Sequence, residues 1–175
     1  MHSVVKTWLA FGLAFFLTGC GQETVQSKPE IHITGSTMGT YYSIKVADAA
    51  VTDAAKLQAE VDVLLERVND QMSTYRPDSE LSRFNQHKGS TPLVVSRDTA
   101  RVVTEAIHIG RESRGALDVT VGPLVNLWGF GPDAKPTKMP SDELITQTRQ
   151  KTGLGNLHVV TSVDADTLQK DIPDL

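Results

Sequence analysis

Residues 31–46 read IHITGSTMGTYYSIKV, and residues 53–72 read DAAKLQAEVDVLLERVNDQM. In the first stretch, β-branched and aromatic residues flank Thr37-Met38-Gly39-Thr40. This predicts two strands, 31–36 and 41–46, joined as a hairpin. In the second, Leu57, Val61, Leu64, Leu65, Val68 and Met72 recur at three- and four-residue steps with charges between them. That is the period of a helix with one apolar face. Thr52 or Asp53 stands where a cap belongs. Hairpins mixed with helices, without a regular strand–helix alternation, argue for an α+β fold.

Downstream, Ser79 to Gln86 reads as a short helix closing on Gly89. Ser96 opens a longer one, with Val102, Val103, Ala106, Ile107 and Gly110 facing inward and Gly115 as its stop. Ala116 to Val121 is expected to be short and extended, and Pro123 to Trp128 a helical turn with proline first. Gly129-Phe130-Gly131-Pro132 breaks that turn, and 133–140 is a loop. Ser141 to Thr152 is expected to be a third long helix, Leu157 to Thr161 a strand, and Thr167 to Lys170 the start of its partner.

Upstream of the hairpin the chain is an address. Lys6 precedes an apolar run from Trp8 to Leu17, which ends at Leu17-Thr18-Gly19-Cys20. A positive start, a short hydrophobic stretch and small residues at a cut site make a secretory signal. The run is too short to span a bilayer, which takes about 20 residues. Cys20 sits where bacterial lipoproteins are cut and acylated. Residues 1–19 are therefore expected to be a signal peptide and 20–30 a lipidated tether, polar and carrying Pro29. Residues 31–175 form the remaining domain, held on the periplasmic side of a bacterial membrane. Gly21 after the cysteine leans toward the outer membrane.

Charge and cysteine usage exclude several classes. Only Lys6 is lost with the signal, which leaves 16 Lys and Arg against 21 Asp and Glu, a net charge of −5. With no basic run, nucleic acid is not an expected partner. An acidic surface also repels phosphate-rich ligands, so a nucleotide site would rely on local donors or a divalent cation. One cysteine, assigned to lipid, leaves none for a disulfide or a cysteine-based zinc cluster. None of GxSxG, HExxH, GxxxxGK[ST] or GxGxxG occurs. The five histidines are scattered, and His108 falls within a helix.

Three segments carry chemistry. Ser36 to Thr40 offers small residues and a glycine that let a ligand approach the backbone, or else forms an ordinary turn. Residues 72–85, MSTYRPDSELSRFN, put an aromatic, Tyr75, and two arginines among hydroxyls. Tyr75 there can lie against a flat ring and Arg76 can meet a phosphate or carboxylate. Alternatively, Ser79 is an N-cap and Arg76 pairs with Asp78 or Glu80. Residues 116–131, ALDVTVGPLVNLWGFG, set Asp118 ahead of the proline-started turn. Asp118 can accept a bond from a ligand hydroxyl or amide, or cap the coming turn, while Trp128 and Phe130 suit a core.

In this order behind a lipobox, the runs MGTYYSIKV (38–46), MSTYRPDSELSRFN and DVTVGPLVNLWGFGP (118–132) resemble the ApbE family of FAD:protein FMN transferases. The resemblance covers nearly all of the chain after the signal. It implies two related α+β subdomains of the T-fold type with FAD bound between them. It further implies Mg²⁺-dependent cleavage of the FAD pyrophosphate and transfer of FMN to a threonine of a target flavoprotein, with release of AMP. The implied acceptors include subunits of the Na⁺-translocating NADH:quinone oxidoreductase and of Rnf pumps. Positions of the family that contact FAD match Met38, Tyr75 and the stretch Ala116, Leu117 and Asp118.

The family is about twice as long, and its magnesium ligands and catalytic lysine segment are expected beyond Leu175. On that expectation the 175 residues are an N-terminal portion, inactive alone and exposing an unpaired strand edge. Two alternatives stay open at this level: a flavin-binding or carrier lipoprotein without turnover, and a Mg²⁺-dependent FAD pyrophosphatase.

Overall fold

The computed structural model describes residues 30–47, 53–132 and 139–175. The signal, the lipobox, most of the tether, Thr52 and most of the 133–140 loop lie outside the described residues. Two strands, β1 (Glu30–Thr37) and β2 (Thr40–Ala47), form a two-stranded sheet, as the β-branched pattern predicts. Met38 and Gly39 connect them with φ of 51° and 73°. Two positive φ values at the centre of a tight turn match the twist of the flanking strands. Glycine takes that conformation freely, whereas for Met38 it costs about 1–2 kcal/mol.

The chain divides into two units, Met1–Ile33 with Ser43–Ala54, and Thr34–Tyr42 with Ala55–Leu175. In the first unit, Lys45 lies 3.4 Å from Glu30 and His32 hydrogen-bonds Ser43 at 2.8 Å. The second unit contains the turn end of the hairpin and all the elements that follow.

Helix α1 (Ala54–Met72), in the second unit from Ala55 on, forms where the period predicts it; Leu57, Val61, Leu65, Val68 and Met72 of its apolar face are partly buried, while Leu64 is exposed. The Tyr42 hydroxyl donates to Asp62 Oδ1 at 2.5 Å and also meets Gln58. Gly35 makes room for this ring, because a Cβ there would stand 2.6 Å from it. Asn69 Nδ2 donates to Thr37 Oγ1 at 3.4 Å, which ties the turn end of β1 to α1.

Two serine-capped helices follow, one short and one long. In α2 (Glu80–Gln86) the Ser79 hydroxyl accepts from Ser82 N, and in α3 (Arg97–Glu112) the Ser96 hydroxyl accepts from Thr99 N. Glu80 Oε2 joins the two helix starts, accepting from Ser96 N at 3.0 Å, Ser96 Oγ at 2.9 Å and Thr99 Oγ1 at 2.7 Å. At the far end of α3, Gly115 N bonds Gly110 O and Arg114 N bonds Arg111 O. Arg114 and Gly115 have φ of 55° and 85°. This is a Schellman termination, with the expected glycine one step beyond the left-handed residue.

Between α2 and α3 lies β3 (Leu93–Val95), a strand that sequence periodicity does not reveal. It pairs antiparallel with β5 (Asp166–Lys170), and β5 pairs antiparallel with β4 (Leu157–Val160), giving the order β3-β5-β4. The core is Phe84, Val95, Ala100, Ile107, Leu157 and Leu168, drawn from two helices and this sheet. Lys170 is also buried, its Nζ donating to Asn85 O at 3.2 Å and standing 5.2 Å from the Phe84 ring centre. Burial, then the nearby Lys88 charge, push its ammonium below the usual lysine range.

Three expectations need correction. Residues 116–121 form turns, not an extended segment. The third long helix expected over Ser141–Thr152 is the short α5 (Asp142–Arg149), which comes after α4 (Gly122–Leu127) and is followed by a 3₁₀ turn at Leu154–Asn156. Val102, assigned to the inward face of α3, is half exposed. No helix among the described residues is long and apolar enough to cross a membrane.

Candidate functional site

The C-terminal end of α1 organises the site. Ser73 N bonds Asn69 O, which ends the helix and starts the loop 73–79. The Ser73 carbonyl then accepts from two hydroxyls, Ser79 Oγ at 2.6 Å and Ser82 Oγ at 3.1 Å. Tyr75 N donates to Ser73 Oγ at 3.2 Å, Ser79 N to Arg76 O at 3.2 Å, and Gln86 Nε2 to Pro77 O at 3.2 Å. Serine is the residue for this work because one short hydroxyl both donates and accepts. The loop's backbone is therefore tied down, while the Tyr75 ring stays 76% exposed.

Arg76 leaves the loop toward α1. Its guanidinium takes both oxygens of Glu66, at 2.7 and 3.1 Å, and Asp70 Oδ1 at 2.6 Å. The expected partners Asp78 and Glu80 are not used. Glu66 and Asp70 are one helical turn apart and so share a face, whereas Glu80 is committed to the start of α3. The Arg76 hydrogen bond holds the Glu66 carboxyl below its usual range, and the Glu66 bond raises Arg76 further.

Met38, Gly39, Val68, Met72, Tyr75 and Arg76 line one cavity of about 750 Å³. Met38 and Tyr75, two of the residues singled out for flavin contact, thus border the same space from opposite ends of the sequence segment. Met38 is 53% exposed and Tyr75 more so, so both residues can be reached from solvent at this cavity. A flat heterocycle fits such walls, and the volume suits a small-molecule site.

Ala116, Leu117 and Asp118 do not line this cavity or its neighbour. Asp118 Oδ1 accepts from Thr120 N at 2.8 Å and from Thr120 Oγ1 at 2.6 Å, while Thr120 Oγ1 in turn accepts from Gly153 N at 2.6 Å. Asp118 therefore closes its own turn. The next helix, α4 (Gly122–Leu127), starts at Val121 with no side-chain cap. Leu117 O packs on Gly110, where a Cβ would come within 2.8 Å of it.

The neighbouring cavity, about 640 Å³, shares Thr74 and Tyr75 and adds Asn85, Val119, Val125, Asn126 and Phe130. Trp128 and Phe130 are not core: Trp128 is partly open and Phe130 is 80% exposed. A second Schellman motif ends α4 here. Gly129 N bonds Asn126 O, Phe130 N bonds Val125 O, and Gly129 has φ of 77°. Sequence reasoning missed this role for Phe130; the signal was the glycine directly before it.

The described residues contain no cluster of three or more His, Cys, Asp or Glu able to hold a metal. The acidic pair Glu66 and Asp70 is neutralised in part by Arg76 and does not fit a divalent cation without displacing it.

The model of the ApbE family matches residues 38–175. The FAD:protein FMN transferase of Vibrio cholerae is 50% identical over 173 residues, covering 98% of this chain and 49% of that protein. The FAD:protein FMN transferase of Haemophilus influenzae is 39% identical over 178 residues, covering 100% of this chain and 50% of the relative. Among solved structures, the flavin transferase ApbE from Vibrio cholerae superposes with a TM-score of 0.78 at 54% identity, covering 84% of this chain and 47% of that one. The Pseudomonas stutzeri flavinyl transferase ApbE, apo form, gives 0.74 at 33% identity, with 84% and 48% covered. The chain spans about half the length of the curated relatives it matches.

Proposed function

The chain belongs to the ApbE family, and on that premise we propose that it forms the FAD-positioning part of an FAD:protein FMN transferase. The observation that carries this reading is the convergence of Met38 and Tyr75 on one cavity. In the proposed reaction a threonine hydroxyl of the acceptor attacks the FMN phosphorus. The phosphorus–oxygen bond to AMP breaks, the hydroxyl loses its proton, and AMP leaves. Such transfers depend on holding phosphorus and nucleophile in line and on neutralising charge.

The role assigned to this chain is orientation. Tyr75 supplies a flat face on a loop whose backbone is already ordered, so little freedom is lost when a ring settles on it. Met38 supplies an adaptable apolar edge. Ala116, Leu117 and Asp118 remain in the reading as further flavin contacts, with Asp118 able to offer Oδ2 because the Thr120 bonds use Oδ1. Mg²⁺ belongs to the same reading, and since the described residues do not fit it, its ligands are assigned to the part of the family's length that this chain does not span.

The test is direct. Full-length protein is incubated with FAD, Mg²⁺ and a threonine-containing acceptor, such as a subunit of a Na⁺-translocating NADH:quinone oxidoreductase or an Rnf pump. A fluorescent acceptor band on a denaturing gel supports the transferase. Free FMN without a band identifies a pyrophosphatase, and bound FAD with no product a carrier.

Lipid anchoring at Cys20 on the periplasmic side of a membrane completes the proposal, supported by the LTGC run behind an apolar stretch. Cys20→Ser is expected to release the protein into the soluble periplasmic fraction. Continued membrane attachment sinks the assignment.

A further inference from the structure

We infer that Arg76 is a positioning residue for the ligand cavity, acting through its ion pairs with Glu66 and Asp70 and not by touching a ligand phosphate. The inference rests on the flavin reading of that cavity. Three observations carry it.

The first is occupancy. The guanidinium grips Glu66 through both of its oxygens and Asp70 through one, at 2.6 to 3.1 Å. Paired forks of this kind fix a geometry as well as a charge. The second is sign. One cation faces two carboxylates, so the trio is net negative, which repels a diphosphate and does not attract it. The third is connectivity. The loop is bolted to α2 through Ser79, Ser82 and Gln86. Its side-chain link to α1 is Arg76, the residue next to Tyr75.

The Tyr75 hydroxyl has no hydrogen-bond partner among the described residues, so its ring takes its place from the backbone on either side. On the Met38 side, the Asn69 amide holds Thr37 from the same stretch of α1. Glu66, Asn69 and Asp70 thus set both walls of the cavity from one helix end, and Arg76 transmits that setting to the tyrosine wall. The cavity consequently takes the uncharged ring end of its ligand.

The experiment uses full-length protein and FAD. Affinity is read by quenching of flavin fluorescence, and KM and kcat by acceptor labelling. The variants are Arg76→Gln, Arg76→Lys and the double Glu66→Gln with Asp70→Asn. Glu66 and Asp70 are exposed, so their neutral isosteres keep the fold even if Arg76→Gln does not. Arg76→Gln and the double variant are each expected to weaken FAD binding about tenfold and to raise KM more than they lower kcat. Arg76→Lys should fall between them and wild type, because an ammonium cannot fork.

A direct phosphate contact predicts the opposite for the double variant, since freeing the cation would tighten FAD binding; that result overturns the inference. Unchanged affinity in the double variant also overturns it when Tyr75→Ala still weakens binding, and leaves the flavin reading standing. If Tyr75→Ala binds FAD as wild type does, the flavin reading of the cavity fails and this inference falls with it.

Discussion

The loop 73–79 and the turn 116–121 begin alike. Each follows a helix end, each is closed by hydroxyl hydrogen bonds, and each contains one residue of obvious chemical use. They resolve in opposite ways. In the loop, serine hydroxyls and backbone groups satisfy one another, and the Tyr75 ring is left over, exposed beside a cavity. In the turn, the useful residue is itself the fastener: Asp118 Oδ1 holds Thr120 twice, and Thr120 holds Gly153. A side chain is available to a ligand in proportion to what the local structure does not ask of it. The loop delegates its structural work to serines; the turn assigns it to the carboxylate.

The contrast breaks or sharpens on three measurements. The largest effect is expected for Tyr75→Ala, which should weaken FAD binding by about 1–3 kcal/mol, or roughly ten- to hundredfold, as for loss of a stacked aromatic. Because the ring is 76% exposed, the melting temperature should not move. A drop in melting temperature without a change in affinity would reverse the roles given to the two segments.

Asp118→Ala comes next. It removes both bonds to Thr120, a buried residue, and should cost about 1.5 kcal/mol of stability, which lowers the melting temperature by about 3–6 °C. Any loss of FAD affinity should accompany that loss of stability. Lost affinity at an unchanged melting temperature would instead make the proposed Oδ2 contact with the flavin, and not the Thr120 bonds, the main work of Asp118.

The smallest effect is that of acid. The Arg76 bond holds the Glu66 carboxyl below its ordinary value of 4.5. For a carboxylate depressed in the folded protein, the pairing is fully present above the unfolded value and fades as pH falls through the folded one. FAD affinity should therefore be flat from neutral pH down to about pH 5 and decline only below the ordinary carboxylate range. A decline that begins near pH 6.5 would point to a histidine and away from the loop's anchor.

Much of the fold was legible because its signals are local. The hairpin, α1, the start of α2 at Ser79 and the start of α3 at Ser96 follow from residues within one turn of each boundary. The candidate loop was legible for the same reason, since Tyr75 and its serines are neighbours. Three features were not. Leu93–Val95 is too short to show a period, and it is a strand only because β5 comes to pair with it from more than 70 residues away. Val119, Thr120 and Val121 look extended by composition, yet a bond to Gly153 and the packing of Leu117 on Gly110 fold the segment into turns. Arg76 has acidic neighbours two and four residues on, but α1 brings it Glu66 and Asp70 in better geometry.

By itself, then, the sequence determined the hairpin and the helices that follow it, where serine begins a helix, where glycine ends one, and which short runs carry chemistry. Each of these is a matter of backbone preference and of partners within a few residues. Only the tertiary structure decided that Met38 and Tyr75 border one cavity, that Glu66 and Asp70 engage Arg76, and that the Asp118 turn is held to Gly153 through Thr120. Those outcomes depend on which polar groups find partners across the chain, and a side chain's chemistry is free for a ligand only after that pairing is complete.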